Sequence, residues 1–293
     1  MPRVSIAMPV YNCAPYIAQS VESLLGQTFG DFEFVISDNA STDGTEEICR
    51  RYAAQDSRVR YVRRSENIGG PGNFRYVASL CSAPYLKWST ADDHWHPSFL
   101  HEAVLVLDQR DDVVLCHPKA QLIDAQDRML TNYDDRLHLM DESPRTRFRR
   151  LYGEIGLCNA HLGLIRRHAL GKTRSIAPHK ASDVDFLGEM ALLGKFYLLP
   201  DIRFFRRIHE DSSSWARESD EHQLRYYAPA SRNTPAFGTW QRLRFQWTSV
   251  WRSPIALADK LALSNDLGRW MRHQRASLSR ELWGHMRHGA RGA

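Results

Sequence analysis

Long apolar runs are missing from the chain. Nothing in its 293 residues approaches the roughly eighteen consecutive apolar positions that a bilayer-spanning helix needs. The N-terminus also lacks a basic segment followed by an apolar core, and a strand pattern starts directly at Val4. The expected location is therefore cytoplasmic, with peripheral contact at the inner membrane face left open by the C-terminal region described below. Cysteine is scarce. Cys13, Cys49, Cys81, Cys116 and Cys158 are odd in number, scattered and without a CxxC pair, which argues against a disulfide framework or a cysteine-rich zinc site. No GxGxxG, GxxxxGK[ST] or HExxH spacing occurs, so dinucleotide-binding, P-loop and zincin readings lose their signatures. What is present, 43% hydrophobic and 25% charged residues, suffices for a full core and excludes disorder of the whole chain.

Charge divides the chain in two. Residues 222–293 carry 12 Lys+Arg against 3 Asp+Glu, whereas the longer first part has a small acidic excess. The basic character thus belongs to the tail, and the acidic remainder suits a metal-using site better than a nucleic-acid groove.

The first part alternates strand and helix signals. Val4 to Val10 is a short apolar run; Ile17, Val21, Leu24 and Leu25 follow at the spacing of one buried helix face, ending at Gly26. Strands over Phe32–Ser37, Val59–Arg63 and Tyr85–Ser89 then alternate with helices over Thr45–Gln55 and around Phe74, Val77, Leu80 and Cys81. This order predicts an α/β fold with a mixed or parallel, Rossmann-like central sheet flanked by helices, and ligands at the carboxyl ends of its strands. The residues after each strand therefore matter most. After the second strand, Asp38 offers hydrogen-bond acceptors to a base or ribose, and after the first, Tyr11 offers a ring for stacking. The same Ser, Asn, Asp and Gly residues over 37–44 are also ordinary turn chemistry leading into a helix. After the fourth strand, Asp92 and Asp93 place two carboxylates side by side, an arrangement favoured by a hard cation. An acidic pair before the helix that starts near Pro97 can equally complement that helix's dipole.

The ordered set Val4-Ser-Ile-Ala-Met-Pro-Val-Tyr-Asn12, Ser37-Asp-Asn-Ala-Ser-Thr-Asp-Gly-Thr45, Asn67-Ile-Gly-Gly70 and Ala91-Asp-Asp93 resembles family 2 glycosyltransferases over roughly residues 4–210. The resemblance implies a glycosyltransferase A fold. It also implies an inverting, metal-assisted transfer of a sugar from a nucleotide-diphosphate sugar, with UDP-sugars favoured, to an acceptor hydroxyl of unidentified nature. By position it puts Pro9, Tyr11, Asn12 and Asp38 at the nucleoside, and Asn67, Gly70 and Asn73 beside the ribose and diphosphate. Asp92 matches the last aspartate of the family's Asp-x-Asp metal motif, for Mg2+ or Mn2+, and Thr90 stands where the first aspartate is usual. Asp93 is then the candidate to compensate.

Downstream, Ser182-Asp-Val-Asp185 occupies the place of the family's Glu-Asp pair, and Asp183 becomes the expected general base, with Asp185 in reserve. Helix capping is the other reading of these residues. The segment Phe204 to Ser214, after a short strand at Phe196–Leu199, resembles the family's Arg-x-His segment and adds Arg207 for phosphate and His209 for the metal. His94, His96 and His117 are expected at the rim or acceptor side. Residues 118–160 read as polar and irregular around Tyr133-Asp-Asp135 and are assigned to the acceptor.

In the tail, Leu263, Leu267, Trp270, Met271, Leu278, Leu282 and Met286 recur at helical spacing, with Arg269, Arg272, Arg275, Arg280 and Arg287 between them. This basic amphipathic region either lies on an anionic membrane or packs its apolar stripe on the catalytic domain; no nucleic-acid motif accompanies it. The expected organisation is a catalytic domain over 1–215, divided into a nucleotide-sugar half (1–97) and an acceptor and catalytic half (98–215), followed by the helical region 216–293. Two other functions stay open. A nucleotidyltransferase would lack its lysine-bearing Gly-rich loop, and a non-catalytic carbohydrate- or membrane-binding module finds support only in Thr90.

Overall fold

The computed structural model describes residues 1–209 and 238–289. The boundary expected near residue 215 and residues 210–214 of the Arg-x-His segment lie outside the described residues, as do the side chains of Leu282, Met286 and Arg287.

Strand β1 (Val4–Val10) is apolar or small on both faces, the composition of a strand covered on both sides, and it lies inside the sheet with parallel neighbours on each edge. Those neighbours are β2 (Phe32–Asp38) and β4 (Tyr85–Trp88), and β3 (Val59–Arg63) extends the sheet beyond β2. Helices α1 (Ile17–Leu25), α2 (Thr45–Gln55) and α3 (Gly70–Ser79) make the crossovers. The chain moves outward from β1 to β3 and then returns to β4 on the other side of β1. The carboxyl ends of β1 and β4 therefore flank a topological switch point, where ligands of open α/β sheets bind.

Beyond β4 the sheet is mixed. The two-residue β5 (His94–Trp95) and α4 (Phe99–Gln109) lead to β6 (Val113–Ile123), β7 (Met129–Tyr133) and α5 (Pro144–Glu154). A 3-10 turn (Asn159–Leu162), β8 (Leu164–Arg166), α6 (Arg167–Leu170), α7 (Ser182–Leu193) and β9 (Lys195–Arg207) follow. The order is β3-β2-β1-β4-β8-β6-β9-β5, with β7 hairpinned on β6. β8 is antiparallel to both of its neighbours, and β5 is antiparallel to β9.

Two expectations are corrected here. Residues 118–160 are not irregular, because they supply half of β6, all of β7 and α5. The strand expected over Phe196–Leu199 runs on to Arg207. In both strands a proline hides the pattern: the β6–β9 register shifts between Pro118 and Lys119, and Leu199, just before Pro200, pairs with Pro118. A proline removes one ladder donor, so both strands accommodate it at an irregular point of the pairing.

The C-terminal region folds into α8 (Gly238–Arg252), α9 (Leu257–His273) and α10 (Arg275–Gly289). Leu243, Val250, Leu263 and Leu267 bury themselves against Phe148 of α5 and Leu192 of α7 in a second apolar cluster beside the main core. Part of the amphipathic stripe is thus spent on the catalytic domain, while Trp270 and Met271 stay exposed. Leu263 has no exposed surface. Leu263→Ala should lower the free energy of denaturant unfolding by roughly 2–5 kcal/mol, and a loss below about 1 kcal/mol would mean that α9 does not pack as described.

Candidate active site

The loops after β1, β2 and β4 and the segments 156–162 and 180–184 surround one cavity of about 840 Å³. Pro9, Tyr11, Asn12, Asn67, Gly70, Asn73, Asp92, Asp93, Asp183, Arg207 and His209 line it, so residues far apart in the chain do converge on one sheet rim. Asp38 does not line it. Its side chain is fully buried, with Oδ1 accepting from the Ser41 amide (2.8 Å) and Oδ2 from the Tyr61 hydroxyl (2.6 Å). Burial and this bond to Asp38 push the Tyr61 phenol upward. Asp38 therefore shapes its loop, and the expected contact with base or ribose is corrected.

The neighbouring loops are stitched together in the same way. Asn12, at φ 50°, accepts from the Thr42 amide on Oδ1 (2.8 Å), and its own amide donates to Ser41 Oγ (3.0 Å). Asn39 donates to Asn67 Oδ1 (2.7 Å) and accepts from the Ile68 amide (2.9 Å). Asn73 accepts from the Ser37 hydroxyl (2.6 Å) and donates to the Ser37 carbonyl (2.8 Å). It is almost fully buried, so its amide ties α3 to the ends of β1 and β2 and has little left for a ligand. Pro9, Gly70 and the exposed Tyr11 ring keep surface toward the cavity. Gly70 and Pro71 are the first residues of α3, so the Gly-rich stretch is helix start as well as loop.

Asp92 and Asp93 differ in burial and in partners. Asp93 is 5% exposed and accepts from the Thr90 hydroxyl on one oxygen and from the Arg207 amide (2.8 Å) on the other. Desolvation, and then the neighbouring Asp92 charge, raise its pKa to about 7. Both oxygens of Asp93 are thus engaged by the chain itself, which counts against its expected place in a metal site; Thr90, standing where the family's first aspartate is usual, supplies one of these bonds. Asp92 faces the cavity, with Oδ2 3.2 Å from His209 Nε2. That spacing is close to the separation of adjacent ligands around a hard cation with bonds of about 2.1 Å, so Asp92 and His209 fit a metal at this place.

Arg207, expected at phosphate, is largely engaged by the chain itself. Its guanidinium donates to the carbonyls of Asp92 (2.9 Å) and Asp124 (3.1 Å), to Gln19 Oε1 (2.6 Å) and to Asp127 (2.7 Å). Four of its five N–H donors are thus engaged by the chain itself. It clamps the Asp92 loop from beneath, and the Tyr16 ring stacks over it and against His209. Lys87 completes the foundation. Without exposed surface, it donates to the Trp88 and Leu162 carbonyls and lies 3.2 Å from the Trp95 ring centroid. Burial lowers its pKa well below the usual lysine range.

Across from this loop system, Asp183 sits in the first turn of α7, beside Cys158 and His161. Asp185 faces away. It has no exposed surface and accepts from Tyr152 (3.1 Å) and Gln246 (3.3 Å), which removes it as a reserve base. Tyr133 and Asp135 do not line the cavity. They accept from the amides of Leu157 (2.6 Å) and Ala160 (3.0 Å) and so carry the wall segment that an acceptor would meet. His94, His96 and His117 are also absent from the lining: His94 stacks on Phe205, His96 meets Ser98, and His117 is buried against the Leu137 carbonyl. Asn39, Tyr16, Cys158, His161 and Lys180 line the cavity without having been singled out. Asn39 lay inside a quoted motif, whereas the others carry no sequence signal of their own.

Comparison with known proteins bears on the family and the fold. A family model described as Glycosyl transferase family 2 matches residues 5–174. The putative glycosyltransferase EpsE of Bacillus subtilis is 33% identical over 109 residues, 37% of this chain and 39% of that protein. Chondroitin synthase of Escherichia coli is 35% identical over 136 residues, 45% of this chain and 19% of that protein. The matched part thus spans well under two thirds of these relatives. Among solved structures, S. aureus TarS 1-349 in complex with UDP superposes with a TM-score of 0.63 at 17% identity, covering 89% of this chain and 68% of that one. The mannosyltransferase PcManGT from Pyrobaculum calidifontis in complex with GDP-Man and Mn2+ gives 0.54 at 17% identity, covering 96% and 84%. At such identities the likeness is one of fold.

The buried Asp93 makes a pH prediction for the ligand-free chain. Its folded pKa, near 7, lies above that of an unfolded aspartate. The folded state then holds the extra proton between about pH 4 and 7, and stability falls as pH rises through that range. Asp93→Asn keeps an acceptor for the Arg207 amide and carries no charge. Its melting temperature should lose this fall, and a variant that tracks the wild-type profile over the whole range would overturn the assignment.

Proposed function

Because the chain belongs to glycosyl transferase family 2, we propose that it moves a glycosyl group from a nucleotide-diphosphate sugar to an acceptor hydroxyl with inversion, using Asp183 as general base. The observation that carries this reading is that Asp92, backed by His209, and Asp183 share one cavity at the switch point of the sheet. The nucleotides bound in the similar structures, UDP, UDP-GlcNAc and GDP-Man, support the donor class without choosing a base or sugar.

Tyr11, Pro9 and the Asn39–Asn67 pair flank the space for the nucleoside, and Gly70 at the start of α3 offers its backbone N–H toward the diphosphate. Asp92 and His209 would hold Mg2+ or Mn2+, which when bound neutralises charge on the diphosphate. Asp183 takes the proton of the acceptor hydroxyl as its oxygen bonds to the anomeric carbon. The bond from that carbon to the diphosphate oxygen breaks, and the nucleoside diphosphate leaves with the electron pair. Arg207, Asp93 and Asn73 act through position: they hold the loops that carry Asp92 and the donor-facing residues.

Calorimetry with a panel of UDP-, dTDP- and GDP-sugars and Mn2+ should find one nucleotide class whose binding depends on the metal, and silence for all of them would overturn the reading. Asp92→Ala should weaken donor and metal together. Asp183→Asn should leave donor affinity nearly intact while turnover falls about 100-fold or more, and unchanged turnover would remove Asp183 from the role of base.

The C-terminal region is proposed to bring the chain to an anionic membrane surface bearing its acceptor. The described residues contain no helix long and apolar enough to cross a membrane. Around the α8–α9 turn, however, Trp251, Leu257 and Leu261 are exposed, with Arg252 beside them and Lys260 donating to the Trp251 carbonyl (3.0 Å). Exposed aromatic and aliphatic groups among cations suit the headgroup boundary of an anionic bilayer. The chain should sediment with vesicles containing phosphatidylglycerol and remain in solution with phosphatidylcholine alone. The double change Trp251→Ser and Leu261→Ser should abolish sedimentation, and equal binding by this variant would exclude the face.

A further inference from the structure

The wall opposite Asp92 contains a ligand set of which proton abstraction uses Asp183 alone. Cys158, His161 and Asp183 each offer one atom, a sulfur, a ring nitrogen and a carboxylate oxygen, and these three atoms all lie within 4.8 Å of one another. The first two belong to one tight turn: Cys158 precedes the 3-10 segment and His161 lies three residues on. Asp183 comes from the first turn of α7, more than twenty positions later, so the three meet through the tertiary fold alone.

Two features of the turn suit a cation. His161 Nδ1 lies 2.6 Å from the Cys158 carbonyl oxygen. A carbonyl can only accept, so Nδ1 carries the hydrogen and Nε2 keeps its lone pair. Imidazoles that bind metals are oriented by this kind of contact, the second nitrogen donating to a carbonyl or carboxylate. Cys158 itself has φ 62° and ψ 28°, left-handed backbone that a side-chain-bearing residue seldom adopts. Glycine would take that conformation more readily, yet a cysteine occupies it, and Cys158 belongs to the lining of the same cavity as Asp183.

We propose that Cys158, His161 and Asp183 form a second cation site, separate from the Asp92–His209 position and selective for a borderline-soft divalent ion of the Zn2+ class. On binding, the Cys158 thiol releases its proton to solvent and its sulfur, the His161 Nε2 lone pair and an Asp183 oxygen become ligands; no electron changes hands. A thiolate is a poor ligand for Mg2+ and Mn2+, so the sulfur of this set separates it from the Asp92–His209 position. Occupation ties up Asp183, so transfer stops. This consequence rests on the reading of Asp183 as the base, whereas the binding itself does not.

The test uses the full chain, stripped of metal with a chelator. Titration with Co2+ should give the absorption band of a cobalt–thiolate bond. Calorimetry with ZnCl2 should show one tight site in the wild type and in Asp92→Ala, at least 10-fold weaker in Cys158→Ser and in His161→Gln. A missing cobalt–thiolate band, unaltered zinc affinity in both ligand variants, or loss of the site in Asp92→Ala would each overturn the proposal. None of these measurements needs turnover, so they separate a failed site from a failed transferase. In transfer assays with Mn2+, Zn2+ should inhibit over the concentrations at which it binds, and full activity with the site filled would overturn the regulatory half.

Discussion

Two adjacent carboxylates at one cavity cannot both stay ionised at low cost, and the loop after β4 answers this by burying one of them. Burying an aspartate costs several kcal/mol unless hydrogen bonds and charge offset it. Asp93 receives both kinds of help, from the Thr90 hydroxyl, the Arg207 amide and the nearby Arg206 guanidinium. Its raised pKa shows that the compensation is incomplete. The burial of Asp93 goes with the greater exposure of Asp92, so the carboxylate proposed for the metal depends on a neighbour that the chain holds for itself. The Arg207 side chain extends the same clamp to Gln19 on α1 and to Asp124 and Asp127 between β6 and β7. The last residue of β9 thereby sets the geometry of a loop more than a hundred positions earlier.

This dependence explains what could be read in the sequence and what could not. The elements over residues 4–97 were legible because each strand is a short apolar run and each helix has one apolar face; β1, β2, α2 and β3 fall within a residue of their expected limits. Beyond residue 97 the period was broken by Pro118 and Pro200, and β6, β7 and most of β9 were hidden. At the site, motif order was enough to say which loops converge. It could not say which polar atoms are used up internally. Asp38, Asn73 and Arg207 have the chemistry of ligand-binding groups, and the fold spends that chemistry on its own amides, carbonyls and hydroxyls. In a tight loop the need to satisfy buried polar atoms competes with the ligand for the same side chains, and the outcome depends on neighbours remote in sequence.

The two walls of the cavity are built on different principles. The donor side is a set of short loops tied to each other by asparagine, serine and aspartate side chains, a local chemistry that leaves recognisable motifs. The opposite wall has no such motif. Its segment 156–162 is carried from outside by Tyr133 and Asp135 of the β6–β7 hairpin region and by Arg206, which donates to Leu157 and Asn159. Cys158 and His161 reach the cavity only because these longer-range bonds place them there, and isolated cysteines and histidines carry no signal on their own.

Asp183 depends on a further layer. The helix that presents it, α7, is gripped from behind by the C-terminal region: Gln246 of α8 donates to Asp185, and Ser249 donates to Glu189, which Arg174 also pairs with (2.8 Å) while its guanidinium lies 3.4 Å from the Phe245 ring centroid. Asp185, buried and with its pKa raised by desolvation, is held in this contact. Buried charge pairs of this sort add little net stability but penalise any other arrangement strongly. The same α8 that exposes Trp251 on its outer side therefore fixes, on its inner side, the angle at which α7 delivers its first-turn carboxylate to the cavity.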